Sequence, residues 1–298
     1  MIKIIEVGPR DGLQNEKIFL PYTAKVEFVE RLIAAGLKNI EAGAFVSPKW
    51  VPQMTDSNKV FLRLLKSKKL NKYTQLSALV PNLQGLKMAI DCGVKEVAVF
   101  GACSETFSQK NINCSIKESF VRFRQVISLA HKHKIKVRGY LSTTFGCPYE
   151  GKITAKKAES VIRKMLELGV YEVSVGDTIG VATPKQVRKL LQRFTSTERK
   201  YIAMHFHDTR GTALANVLAS LDLGITVFDS SVGGLGGCPY AKGASGNLAT
   251  EDLIYMLNGM GLKSGVDLNE LIKVSLWIEK KMGRVLPSRV AKAGGFNL

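Results

Sequence analysis

The segment His205-Phe206-His207-Asp208-Thr209 closes an apolar run and holds two of the chain's four histidines. Side chains alternate along a strand, so imidazoles two residues apart project from one face and reach a common ion. Asp11, in Gly8-Pro9-Arg10-Asp11-Gly12, adds a carboxylate, and Asn247, in Gly246-Asn247-Leu248, adds an amide oxygen. Such a mixed set, with positions left for water or substrate, suits Mg²⁺ or Mn²⁺ in octahedral geometry. Zn²⁺ also accepts His and Asp. Each ligand has a plainer reading: solvated histidines at a strand end, Asp11 as a turn residue before Gly12, Asn247 at the start of a helix. Cys238 follows Gly233-Gly234-Leu235-Gly236-Gly237. A thiol in a glycine loop is exposed enough to move protons; the alternative is a small residue tolerated in a tight turn.

The elements that must position these groups repeat one grammar. Four segments end an amphipathic helix on glycine and pass into a β-branched strand: Ala35-Gly36-Leu37, Cys92-Gly93-Val94, Leu168-Gly169-Val170 and Leu223-Gly224-Ile225. Glycine just past a helix takes the left-handed conformation that ends it. Eight strands are predicted near residues 2–7, 38–43, 74–80, 95–100, 135–141, 170–175, 201–206 and 225–230. Helices are predicted near 23–35, 117–133, 155–168, 184–195 and 212–223, with two more near 249–260 and 268–282. Eight β/α units make an α/β fold of the (β/α)8 TIM-barrel type with extra C-terminal helices. A doubly wound sheet fits less well, because no GxGxxG opens a helix after the first strand. No linker or composition break divides the chain. It reads as one catalytic domain over 1–298, with the barrel in 1–230 and the glycine loop, extra helices and tail in 231–298.

In such barrels the catalytic groups sit at the C-terminal ends of the strands. Arg10 and Asp11 follow strand 1, Glu41 lies near the end of strand 2, Asp177 follows strand 6, His205 and His207 end strand 7, and Cys238 and Asn247 follow strand 8. Convergence on one rim favours chemistry over the plainer readings. Arg10 is always charged and offers a fork of donors.

The 298 residues are 45% hydrophobic and 23% charged, ordinary for a soluble globular protein. No apolar run reaches about 18 residues, so no membrane span is expected. Met1-Ile2-Lys3-Ile4-Ile5-Glu6-Val7 is too short and strand-like for a signal peptide. Five scattered cysteines without a CxxC pair fit reduced thiols and a cytoplasmic setting. The net charge of +18 is spread along the chain, densest at Lys66-Ser67-Lys68-Lys69 with Lys72. Without a nucleic-acid motif or basic tail it reads as a solvated surface, part of which steers an anionic substrate, and not as a nucleic-acid site.

Longer motifs then identify a family. Glu6-Val7-Gly8-Pro9-Arg10-Asp11-Gly12-Leu13-Gln14-Asn15-Glu16 and Ser230-Ser231-Val232-Gly233-Gly234-Leu235-Gly236-Gly237-Cys238-Pro239-Tyr240 resemble the opening motif and signature loop of the 3-hydroxy-3-methylglutaryl-CoA lyases. Phe45-Val46-Ser47-Pro48-Lys49-Trp50, Lys110-Asn111-Ile112-Asn113-Cys114-Ser115, Gly146-Cys147-Pro148-Tyr149-Glu150-Gly151 and Gly243-Ala244-Ser245-Gly246-Asn247 extend the likeness over nearly the whole chain. The resemblance implies a metal-dependent barrel that cleaves its substrate to acetoacetate and acetyl-CoA, and a homodimer. It places Asp11, His205, His207 and Asn247 on the metal ligands. It places Arg10, Glu41, Asp177 and Cys238 on catalytic or substrate-contacting positions, with Asp11 and His205 near the reacting hydroxyl. The general base stays open among these groups. Lys17, Lys49, Lys110 and Asn113, read as loop residues beyond strand ends, are assigned with Arg10 to CoA. Two departures stand out: Ala44 where some relatives carry a small hydroxyl residue, and Phe206 where a smaller residue is common. Related barrel enzymes such as isopropylmalate or homocitrate synthases are the nearest rivals, but they usually carry a long C-terminal regulatory region.

Overall fold

A computed structural model describes residues 1–237 and 246–295. Eight parallel strands close a barrel: β1 (Lys3–Glu6), β2 (Asn39–Ala44), β3 (Gln75–Leu79), β4 (Glu96–Ala102), β5 (Lys136–Ser142), β6 (Glu172–Asp177), β7 (Ile202–Phe206) and β8 (Val227–Ser230). Each strand pairs with its sequence neighbours, and β1 joins β8 in the register Lys3↔Val227 to Glu6↔Ser230. Nearly continuous burial along β4, β6 and β7 reflects a sheet covered on both faces. The four glycine joints behave as expected, with φ of +94° at Gly36, +81° at Gly93, +93° at Gly169 and +81° at Gly224.

Helices cover the outside: α1 (Tyr22–Ala34), α2 (Ser57–Leu64), α3 (Leu83–Asp91), α4 (Glu105–Ile112), α5 (Ile116–Lys132), α6 (Ala155–Glu167), α7 (Pro184–Leu191), α8 (Ser196–Arg199) and α9 (Ala213–Leu221). Their starts are written in the sequence. Ser115 and Glu118 form a reciprocal capping box at α5, and Thr154 caps α6. After β8 come α10 (Thr250–Gly259), α11 (Leu268–Met282) and α12 (Arg289–Ala293). Trp277 on α11 packs 5.9 Å from Phe28 on α1, so the C-terminal helices share the barrel's outer core.

Four features depart from expectation. The helix predicted over 184–195 stops at Leu191 and restarts as α8, because Thr195 caps a new turn with Glu198. Gly146–Cys147 and Gly151–Lys152 pair as a small antiparallel hairpin. Residues Gly8–Gly12 form one turn of π-helix. A third helix, α12, follows the two predicted after β8.

Candidate active site and metal centre

The π-turn after β1 presents Arg10 and Asp11 to the end of the barrel. Such turns recur where a backbone must aim side chains at a site. Arg10 Nε donates to Glu41 Oε2 at 2.5 Å and Arg10 Nη1 to Asp11 Oδ1 at 2.7 Å. Glu41 lies inside β2, not at its end, at a bulge where the register with β3 shifts between Glu41 and Gly43. Its other oxygen, Oε1, is buried without a hydrogen-bond partner. Burial raises the Glu41 carboxyl, and the Arg10 guanidinium opposes that rise.

Asp11, His205 and His207 each bring a ligand atom within 4.8 Å of the others. Asn247 joins them through backbone and side chain. It forms a bridge with His207, and its Nδ2 donates to Asp11 Oδ2 at 2.8 Å and to Leu235 O at 3.0 Å. Both amide hydrogens therefore have acceptors, which fixes the orientation of the amide and leaves Oδ1 buried and unpartnered. Asn247 does not cap the next helix; Ala249 holds that position. His207 Nδ1 is a second buried atom without a partner. Leaving either atom unsatisfied costs about 1–3 kcal/mol. A cation answers the amide oxygen and a neutral imidazole at once, so the donor set fits a divalent ion.

The electrostatics agree. Burial, then the neighbouring His205, pushes His207 down to about 4, which keeps its ring neutral and able to ligate. Burial works against ionised Asp11, but Arg10 and the two histidines outweigh it and hold the carboxyl below its usual range. Burial would lower His205 too, yet its hydrogen bond and charge interaction with Asp229 raise it.

Asp177, the last residue of β6, spends both oxygens on the next turn, accepting Val181 N–H and Ala182 N–H at 2.9 Å each. Burial still carries it up to about 6. Cys238 lies outside the described residues. Its flanks are held close: Gly236 has φ +107° and Gly246 φ +93°, and Asn15 Nδ2 donates to Gly237 O at 3.2 Å. Phe206 packs its ring 6.4 Å from Phe145, pointing away from the two histidines. At Ala44 the backbone N–H donates to Ser57 Oγ at 3.2 Å, so a hydroxyl is supplied there from α2.

Of the four positions assigned to CoA, Lys17 lines a cavity of about 590 Å³ with Asn15, Gly237, Arg284 and Lys292. Lys49 is exposed after β2. Lys110 is not a loop residue: it lies within α4, with its ammonium 4.7 Å from the Tyr149 ring centroid. Asn113 ends α4 in the left-handed conformation, φ +50°. Arg284 and Lys292, which the sequence did not single out, reach this cavity through docking of the C-terminal segment.

Sequence reasoning also missed the polar barrel interior. Arg138 on β5 reaches Asp229 on β8 through Nη1 and Nη2, at 3.1 and 2.7 Å, and Glu172 on β6 through Nε at 2.7 Å. Since β5 and β8 are not neighbours, the Arg138–Asp229 pair crosses the barrel. Tyr140 lies between Arg138 and Arg10, its ring centroid 4.9 and 5.4 Å from their guanidinium carbons. A carboxylate within Val227-Phe228-Asp229 and an arginine within Val137-Arg138-Gly139, each in a core strand, were the available signals.

Two more buried acids hold the glycine loop. Glu251 accepts Gly233 N–H with both oxygens at 2.9 Å. Glu6 accepts Val232 N–H, Gly8 N–H and the Thr250 hydroxyl. Burial pushes Glu251 up from 4.5 to about 8 and Glu6 up to about 7. A folded-state value above the unfolded one gives stability that is full below the unfolded value and is lost as pH rises through the folded one. The protein is therefore expected to melt lower at pH 8.5 than at pH 6, and Glu251→Gln to flatten that fall. An unchanged slope in the variant would remove Glu251 from the account.

The chain matches the HMGL-like family model over positions 1–278. The chain is 52% identical over 295 residues to the cytoplasmic 3-hydroxy-3-methylglutaryl-CoA lyase of Rattus norvegicus, covering 98% of this chain and 84% of that one. It is 51% identical to the 3-hydroxy-3-isohexenylglutaryl-CoA/hydroxy-methylglutaryl-CoA lyase of Pseudomonas aeruginosa, covering 98% and 96%. The crystal structure of hydroxymethylglutaryl-CoA lyase from Pseudomonas aeruginosa superposes with a TM-score of 0.93 at 51% identity, over 98% of this chain and 96% of that one.

Proposed function

The chain belongs to the HMGL-like family, and from that premise we propose that residues 1–298 act as one catalytic domain that cleaves 3-hydroxy-3-methylglutaryl-CoA to acetoacetate and acetyl-CoA. The observation that carries the reading is the Asp11–His205–His207 cluster with the unpartnered Asn247 oxygen, set beside Arg10 at the end of the barrel. A divalent cation, Mg²⁺ or Mn²⁺, held by these four residues supplies Lewis-acid polarisation of the substrate oxygens when bound.

The rest is work for side chains. The C3 hydroxyl loses its proton, the C2–C3 bond breaks, and its electron pair passes to C2 and the thioester oxygen. Arg10 has Nε and Nη1 held by carboxylates, which leaves Nη2 to donate to the thioester oxygen as charge develops there. Glu41 is the better-placed base, because Oε1 is buried and unpartnered while Asp177 commits both oxygens to backbone N–H groups. Asp177 acts by holding the turn after β6. Cys238, carried by the glycine loop, delivers a proton to C2 and completes acetyl-CoA. Lys17, with Arg284 and Lys292 on the same cavity, meets CoA phosphate; Lys49, Lys110 and Asn113 give weaker contacts along the rim. No described helix is long and apolar enough to cross a membrane. The protein works in the cytoplasm as a homodimer, without nucleic acid.

Stripping with a chelator is expected to abolish acetoacetate release from 3-hydroxy-3-methylglutaryl-CoA, and Mg²⁺ or Mn²⁺ to restore it. Folded protein that binds Mn²⁺ yet releases no acetoacetate would overturn the substrate assignment. The same assay with 3-hydroxy-3-isohexenylglutaryl-CoA reads whether a longer 3-substituent is accepted.

A further inference from the structure

We infer that Asp229 is a positioning residue for the metal centre: it fixes the imidazole of His205 in the tautomer that leaves Nε2 free to ligate, and Arg138 and Ser174 hold Asp229 for that task. The inference rests on the metal-site reading above and adds residues that contact no ligand.

Asp229 and His205 are register partners on adjacent strands, β8 and β7, and His205 Nδ1 lies 3.2 Å from Asp229 Oδ2. Asp229 is buried, and its hydrogen bonds with Arg138 and Ser174 are all received. Arg138 donates to Oδ1 from Nη2 and to Oδ2 from Nη1, and Ser174 Oγ donates to Oδ2 at 2.6 Å. Paired with a permanently charged guanidinium, this carboxylate acts only as an acceptor. The His205 nitrogen that faces it must then carry the hydrogen, and the lone pair of the neutral ring lies on Nε2. Tyr140 stands edge-on to the same ring, 6.3 Å between centroids at 85°, and limits its rotation.

The two histidines are therefore prepared differently. His207 Nδ1 has no partner among the described residues, so no hydrogen bond at that nitrogen selects its tautomer. His205 is set before the ion arrives. Its control comes from across the barrel, since Arg138 belongs to β5 and is itself steadied by Glu172. Partners of this kind typically change metal affinity 10- to 100-fold.

Two measurements test this without reading turnover. In metal-free wild-type protein labelled with ¹⁵N-histidine, at a pH that leaves the ring neutral, His205 is expected to show the Nδ1–H tautomer; the Nε2–H tautomer would overturn the inference. Asp229→Asn is expected to weaken Mn²⁺ binding by about 10- to 100-fold, read by chelator competition, with the far-ultraviolet circular dichroism retained. Affinity within about twofold of wild type would overturn it. Should the variant not fold, the wild-type tautomer decides alone. Wild-type protein that binds no Mn²⁺ would instead sink the metal-site reading, so the two failures are distinguishable.

Discussion

Arg10→Gln is expected to lower kcat by about 10²- to 10³-fold while Mn²⁺ binding changes little, the loss typical when one donor to a developing oxyanion is removed. Arg10 holds Glu41 Oε2 and Asp11 Oδ1 at the same time. The glutamine keeps some length and polarity but not the charge or the fork. Because the lost interaction forms in the transition state, the fall should appear in kcat more than in KM. Removing the charge also leaves Glu41 buried without its partner. Breaking such a pair costs roughly 3–5 kcal/mol unless the survivor neutralises, and Glu41, already raised by burial, takes up a proton instead. Arg10→Lys should not rescue, since a single ammonium cannot span both carboxylates and still donate to a ligand. Steady-state kinetics beside Mn²⁺ titration check this; a kcat within tenfold of wild type would show that Arg10 is not the donor.

Gly246→Ala should be nearly as damaging by a different route. Gly246 has φ +93°, and a Cβ there would stand 2.2 Å from Gly236 O and 2.7 Å from Gly234 O, both backbone atoms that cannot swing away. The left-handed conformation alone costs about 1–2 kcal/mol for a residue with a side chain. The next residue is Asn247, whose oxygen completes the donor set, and the Gly246 carbonyl accepts Asp208 N–H at 3.0 Å beside His207. Relief of the clash displaces both. Mn²⁺ affinity is expected to fall by more than tenfold and the melting temperature by several degrees, whereas Gly237→Ala, where a Cβ meets nothing within 4 Å, should be mild. Equal behaviour of the two variants would refute the close-packing argument.

How far the sequence foretells these features depends on range. The glycine joints and helix caps are local signals, and all eight strands lie within a few residues of their expected places. His205 and His207 were legible because strand geometry alone puts them on one face. Asp11 and Asn247 each had a plainer reading that, taken singly, outweighed the ligand role. What supports the ligand reading of Asn247 is that its NH₂ group is used by Asp11 and Leu235, a fact that exists only after residues 236 positions apart have met. The pairing of Arg138 with Asp229 was invisible for the same reason, the two being 91 residues apart and joined across a closed barrel. The π-turn at Gly8–Gly12 has no periodicity to announce it. Lys110 was misplaced because a short helix after β4, capped by Ser104, was not foreseen.

The span from Asp11 to Asn247 has a consequence for the newly made chain. The first ligand leaves the ribosome in the opening β/α unit, the histidines in the seventh, and the amide oxygen only after the eighth strand has emerged and paired with the first. A nascent chain or a truncated product thus carries part of the set and has no closed barrel in which to assemble it. Since an ion stabilises only the state that binds it, the metal's stabilisation falls to finished molecules alone. Retention of metal then serves as a mark of completed synthesis, and chains cut short before residue 247 are left to proteolysis without it.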